Sequence, residues 1–141
     1  MLSEDPPSNP LVRKLENFAK LDPDEKRLLH RVVTERVRRV SSREELAHEG
    51  GAPAELSLLL AGWACRYKML ADGRRQILGF LIPGDMFDLH AHVLREMDHS
   101  IATLTQSVIA EFPRSRVQEI VHDHPRLAQA LIWDTVVALS I

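Results

Sequence analysis

Two turn signals close together constrain this chain more than anything else in it. The stretch from Leu70 to Leu89, LADGRRQILGFLIPGDMFDL, holds Asp72-Gly73 and then Pro83-Gly84-Asp85. Glycine accepts the positive φ of a tight hairpin turn without steric penalty, so Asp72-Gly73 predicts a chain reversal. Tyr67, Met69 and Leu70 precede that turn, and Ile77, Leu78, Phe80, Leu81 and Ile82 follow it. Two strands meeting at a hairpin are expected, the second ending at Pro83, which cannot donate to an internal ladder. Such turns in so short a span imply a compact antiparallel β-structure.

The flanks extend the pattern. Asn9-Pro10 offers a cap and a proline at the first helical position, and Leu11, Leu15 and Phe18 follow at helical spacing. A short helix from Pro10 to Lys20 is expected. Asp22-Pro23-Asp24-Glu25 repeats the device, with Leu28, Leu29, Val32, Val33 and Val37 as one apolar stripe behind it. From about Val37 the helical period fails and short strands begin. The apolar run ELSLLL (Glu55 to Leu60) reads as a buried strand broken by Gly62, and Trp63 to Leu70 as the first arm of the hairpin. Ile101–Thr105 and Val108–Phe112 read as two further strands joined at Gln106-Ser107. Ser115 is placed to cap a helix from Arg116 to about His122, and Pro125 starts another still running at Ile141. The expected fold is mainly β with flanking helices: a jelly-roll-like β-roll of about eight short strands, with two helices before it, and a short helix and a longer apolar helix after it.

Composition narrows the function. The 141 residues carry 18 Lys and Arg against 20 Asp and Glu, a net charge of −2 that gives no general attraction to nucleic acid. Arg31, Arg36, Arg38, Arg39 and Arg43 cluster, but without an aromatic platform, and Glu35, Glu44 and Glu45 lie nearby in sequence as partners. The cluster reads as a solvated face. The single Cys65 excludes an intrachain disulfide and any cysteine-based zinc or iron–sulfur centre within one chain, and on an apolar strand it reads as a small buried hydrophobe. Apolar runs are far below membrane length and no leader pattern is seen, so a cytoplasmic location is expected.

The order of elements, together with Glu49-Gly50, Leu60-Ala61-Gly62, Asp72-Gly73-Arg74 and Pro83-Gly84-Asp85, resembles the effector domain of the cyclic-AMP-receptor/Fnr (Crp/Fnr) family of bacterial transcription regulators. The resemblance covers nearly the whole chain. It implies that residues 1–124 are a cyclic-nucleotide-binding-like β-roll with its N-terminal helices, and that residues 125–141 begin a dimerisation helix. It also implies a homodimer that contacts DNA only through a C-terminal winged helix-turn-helix absent from these residues. The apolar stripe of the last helix agrees, with Leu127, Ala130, Leu131, Val137 and Ile141 as the expected dimer contacts.

The same resemblance places the effector pocket. Family members that bind cyclic nucleotide carry Gly-Glu-Leu shortly after the Gly-Asp turn, and Arg-Ser-Ala or Arg-Thr-Ala about ten residues later. The glutamate takes the ribose hydroxyl and the arginine pairs with the phosphate. Here those places fall on Asp88-Leu89-His90 and on His99-Ser100-Ile101. Gly84, Asp88, Leu89, His99 and Ser100 are therefore the pocket candidates, and only Ser100 keeps the nucleotide-binding residue. The resemblance is thus to the branches that do not use cyclic nucleotide, with the effector unidentified and no cofactor or catalytic residue implied.

A second constellation competes. Gly84, His90, His92 and Glu96 follow the spacing of the first half of a cupin metal motif, in which two histidines and a carboxylate hold a metal with open positions. The second half requires a later glycine-rich turn and another histidine, yet no glycine follows Gly84. A small metal-dependent cupin-like enzyme is the alternative, and the regulator domain is the leading expectation.

Overall fold

The computed structural model describes residues 9–51, 55–87, 97 and 99–139, with 138 and 139 described by backbone only. Asn9 opens helix α1 (Pro10–Leu15), its Oδ1 accepting the Val12 N–H at 3.0 Å. The helix is shorter than the expected Pro10 to Lys20. After Leu15 the N–H groups of Asn17 and Phe18 turn to the carbonyls three residues back, and this tight exit brings Phe18 and Leu21 to the same core as Leu11 and Leu15. Helix α2 (Pro23–Glu35) starts with a full capping box: Glu25 N–H donates to Asp22 Oδ1 at 2.8 Å, and Asp22 N–H to Glu25 Oε1 at 2.9 Å. That backbone bond from Glu25 is the main reason the Asp22 carboxyl titrates below its usual range. Leu29, Val32 and Val33 form the buried face of α2, whereas Val37 lies past its end in the first strand and is exposed.

Eight strands make two antiparallel sheets among the described residues. One orders β1 (Val37–Val40), β8 (Ser107–Pro113), β3 (Glu55–Ala61) and β6 (Met86–Phe87) as β1-β8-β3-β6. The other orders β2 (Glu45–Ala47), β7 (Ser100–Thr103), β4 (Ala64–Met69) and β5 (Arg75–Leu81) as β2-β7-β4-β5. The expected jelly-roll-like roll is present. Val40, Leu59, Phe87 and Ile109 of the first sheet meet Ala64, Leu81 and Ile101 of the second in one buried cluster that Met97 joins. Leu56, Leu58, Ala110 and Phe112 bury the opposite face of the first sheet against the helices. Successive side chains of a strand face opposite ways, so Leu58 and Leu59 serve different layers, and with both faces of β3 covered its apolar run is continuous rather than alternating.

The hairpin lies where the two turn signals predict. Leu70 N–H donates to Arg74 O at 2.7 Å across Asp72-Gly73, and Gly73 has φ +85°. Its outer strand β5 ends the second sheet, with Ile77, Leu78 and Phe80 all about half exposed. Helix α3 (Arg114–Asp123) begins two residues earlier than Ser115 capping predicts: Pro113 closes β8 and occupies the cap position itself, with no side-chain bond. Helix α4 (Pro125–Leu139) follows after His124. Two of the five arginines of the cluster, Arg36 and Arg38, form ion pairs, partly with carboxylates other than those near them in sequence. Arg36 pairs with Glu55, Arg38 with Glu44 and Glu111, and Glu35 is taken by Arg116 of α3.

Candidate effector site

The site is built by the pairing of β4 with β7. Tyr67 lies opposite Ser100 and Cys65 opposite Ala102, so all four side chains share one face of the second sheet. Tyr67 and Ser100 are both buried, at 3% and 2% exposed. Glu49 N–H donates to Ser100 Oγ at 2.9 Å, and Tyr67 Oη donates to Glu45 Oε1 at 3.3 Å. The same Glu45 oxygen lies 2.7 Å from His48 Nδ1, and the Arg75 guanidinium lies 4.4 Å from the centre of the Tyr67 ring. The His48 bond is the main cause that holds the Glu45 carboxyl below its usual range. Burial raises the Tyr67 hydroxyl, and the Glu45 charge beside it raises it further. The corner therefore presents a buried hydroxyl pair, an ionised carboxylate and a guanidinium.

The segment that returns to β7 is held against the β2–β3 connection. Met97 N–H donates to Gly51 O at 2.9 Å and Gly50 N–H to Met97 O at 2.7 Å, and His99 beside it is buried. Gly84 lies elsewhere, between β3 and α1. Its N–H donates to Leu59 O at 2.8 Å, its φ is +100°, and a Cβ there would stand 2.8 Å from Pro10 O. Of the five pocket candidates, Ser100 is brought to the Tyr67 corner, His99 is its chain neighbour, and Gly84 belongs to the helix side. Asp88 and Leu89 lie outside the described residues, as do His90, His92, Glu96 and Ile141.

Four polar residues of this corner, Glu45, His48, Tyr67 and Arg75, escape sequence reasoning. Only the strand register brings them together, although the alternation of Cys65 and Tyr67 hints that both face one way. The arrangement does not form a nucleophile–base pair. His48 bonds to Glu45 rather than to Cys65 or Ser100, and burial pushes the Cys65 thiol up. Among the described residues no group of three or more His, Cys, Asp or Glu is placed to hold a metal. An open depression along β1 and β8, lined by Arg39, Ser41, Gln106 and Ser107 among others, shares no residue with this corner.

Cys65, at 2% exposed, provides a test of this packing. Iodoacetamide should modify it at least about a hundredfold more slowly in the native chain than in denaturant, because reaction requires local opening and a thiolate. Equal rates in both states would show that the corner is open.

The expected dimer contacts divide between core and surface. Leu127 and Ala130 are fully buried and Leu131 nearly so, all within the chain's own helix-side core. What α4 leaves outside is Ile132, Trp133, Val136 and Val137, each more than 40% exposed. Of the expected residues that are described, only Val137 is on that outer stripe, and Ile141 lies outside the described residues.

A model of the cyclic nucleotide-binding domain family matches residues 37–124, more than half of the chain. The chain belongs to the cyclic nucleotide-binding domain family. The match runs from β1 through α3 to the residue before α4, so both sheets of this cyclic nucleotide-binding domain fall within it. Over 55 residues the chain is 38% identical to the nitrogen fixation regulation protein FixK of Rhizobium meliloti, covering 38% of this chain and 24% of that protein. Over 51 residues it is 41% identical to the transcriptional activatory protein AadR of Rhodopseudomonas palustris, covering 36% and 21%. The fold is similar to that of the Thermus thermophilus catabolite activator protein, with a TM-score of 0.73 at 17% identity, over 87% of this chain and 57% of that one. The matches span less than a quarter of each curated relative. These relatives are regulators rather than enzymes, and nothing in them favours the cupin alternative. No helix among the described residues is long and apolar enough to cross a membrane.

Proposed function

We propose that this chain is the sensory and dimerisation part of a Crp/Fnr-type transcription regulator whose effector is not a cyclic nucleotide. In this reading residues 1–124 form the sensing roll and residues 125–141 open the dimerisation helix. DNA recognition belongs to a segment other than residues 1–141. The family match and the two regulator relatives support the class. The observation that carries the dimer is the outer face of α4, where Ile132, Trp133, Val136 and Val137 expose a continuous apolar stripe after Leu127, Ala130 and Leu131 have filled the core. A soluble chain gains by covering such a stripe, and a second copy of the same helix fits it symmetrically.

Sedimentation velocity over a concentration series tests this. Self-association with micromolar affinity is expected, since a contact of about two heptads is marginal alone. Trp133→Glu should weaken it by about thirtyfold or more, as removing a central aromatic anchor does. A monomer at high concentration, or a dimer indifferent to Trp133→Glu, would sink the dimer reading.

A further inference from the structure

Helix α1 is wedged between two parts of the molecule that have no other described polar link. On one side is the Pro83-Gly84-Asp85 turn, which leads through β6 into residues 88–96. Gly84 lies so close to α1 that a Cβ there would stand 2.8 Å from Pro10 O and 3.6 Å from Lys14 Cβ. On the other side is α4. Lys14 of α1 spans both. Its Nζ forms an ion pair with Asp85 and lies 3.0 Å from Asp134 Oδ1 on α4.

The two carboxylates are held differently. Asp85 is built into its turn: its Oδ2 accepts the Ile82 N–H at 2.9 Å, and its carbonyl accepts the Leu59 N–H at 3.0 Å. A displacement of the turn therefore carries the Asp85 side chain with it. Asp134 is buried, its side chain only 8% exposed, and Lys14 is its partner among the described residues. A buried carboxylate that loses its cation is strongly penalised. α4 thus follows wherever Lys14 is held. Nearer its start, α4 is anchored separately by Arg126, which donates to Lys20 O at 3.1 Å. The Lys14 bridge then governs the middle of the helix, next to Trp133.

We propose that Lys14 is a coupling residue: through Asp85 and Asp134 it ties the turn that leads into the effector segment to the outward helix α4, so that moving one moves the other. This rests on the reading of the chain as a sensing domain. It goes further in naming the path, which runs through the N-terminal helix rather than through the roll interior.

Amide hydrogen exchange on the 141-residue chain, below its self-association concentration, tests the tie without any effector or DNA. Asp85→Asn keeps an oxygen for the Ile82 N–H but removes the ion pair. It should speed exchange in the middle of α4 by about tenfold while leaving β4 unchanged. In a Lys14→Met background, already loosened at α4, Asp85→Asn should add nothing, since the two residues act in series. Three results overturn the proposal: no change in α4, an equal rise in α4 and β4, or the same Asp85→Asn effect with and without Lys14. Because this readout needs no partner copy, its failure is separable from a failure of the dimer reading, which Trp133→Glu tests.

Discussion

Gly62→Ala should destabilise the chain by about 2–5 kcal/mol, enough at the upper end to unfold about half of it if its total stability lies at the low end of the usual range of about 5–15 kcal/mol. Gly62 turns β3 into β4 with φ +93°. A methyl group there would stand 2.6 Å from Gln106 O and 2.9 Å from Ser107 Cα, and closer still to Ser107 Oγ. Two of these atoms are backbone of the turn leading into β8, which is held by pairing to both β1 and β3, so they have little room to retreat. Left-handed strain accounts for about 1–2 kcal/mol and overpacking for about 1–3 kcal/mol. Gly73→Ala separates the two effects. It has φ +85° but nothing within 4 Å of its Cβ position, so only the strain of about 1–2 kcal/mol applies. Urea unfolding of both variants is the measurement. Equal losses would show that the Gly62 contact with the Gln106-Ser107 turn carries no weight.

Cyclic AMP and cyclic GMP should bind two to four orders of magnitude more weakly than a site with the full arginine and glutamate pair would hold them. Without a guanidinium at position 99, the phosphate forgoes a charge-assisted contact of about 1.5–3 kcal/mol. In the proposed reading leucine at position 89 stands in the place of the family's glutamate, and the ribose hydroxyl forgoes a bond of about 1–3 kcal/mol. At 1.4 kcal/mol per tenfold, the sum accounts for the stated range. The Tyr67 corner reinforces the expectation: the Glu45 carboxylate lies beside Tyr67, where it repels a phosphate. The His48 bond holds the Glu45 carboxyl below its ordinary range, so the repulsion persists down through that range and is lost only at still lower pH. Isothermal calorimetry at neutral pH decides the matter. Micromolar or tighter binding would mean that a nucleotide phosphate is held by other groups, with Arg75 the first to test by Arg75→Ala.

The parts of this molecule legible in its sequence are those decided locally. Asp22 and Glu25 form a capping box because both partners lie within one turn of the chain. Asp72-Gly73 forms a hairpin because only a few backbone dihedrals are involved. Non-local choices are hidden. Helix α4 is apolar almost all round, so periodicity does not say which face turns inward, and the core takes Leu127, Ala130 and Leu131 while Ile132, Trp133 and Val136 stay outside. Val37 continues the α2 stripe in sequence, yet it pairs with Ala110 across a sheet. The candidate site is the least legible part. Tyr67, Ser100 and Glu45 come from three strands, and they meet only because β7 pairs with both β2 and β4.

Strand β5 has a consequence for how this domain behaves outside its proper assembly. Among the described residues it ends its sheet with one row of main-chain N–H and C=O groups unclaimed by a neighbouring strand, and Ile77, Leu78 and Phe80 stand exposed along it. Arg74 and Arg75 guard only the end nearest the hairpin turn; further along there is no lysine, proline or inward charge until Pro83. Such an edge is a template on which a stray strand can grow, and charged gatekeepers are the usual protection against that. Any element that covered β5 would therefore serve two ends at once: it would complete a contact, and it would keep the sheet from recruiting copies of itself into insoluble ribbons.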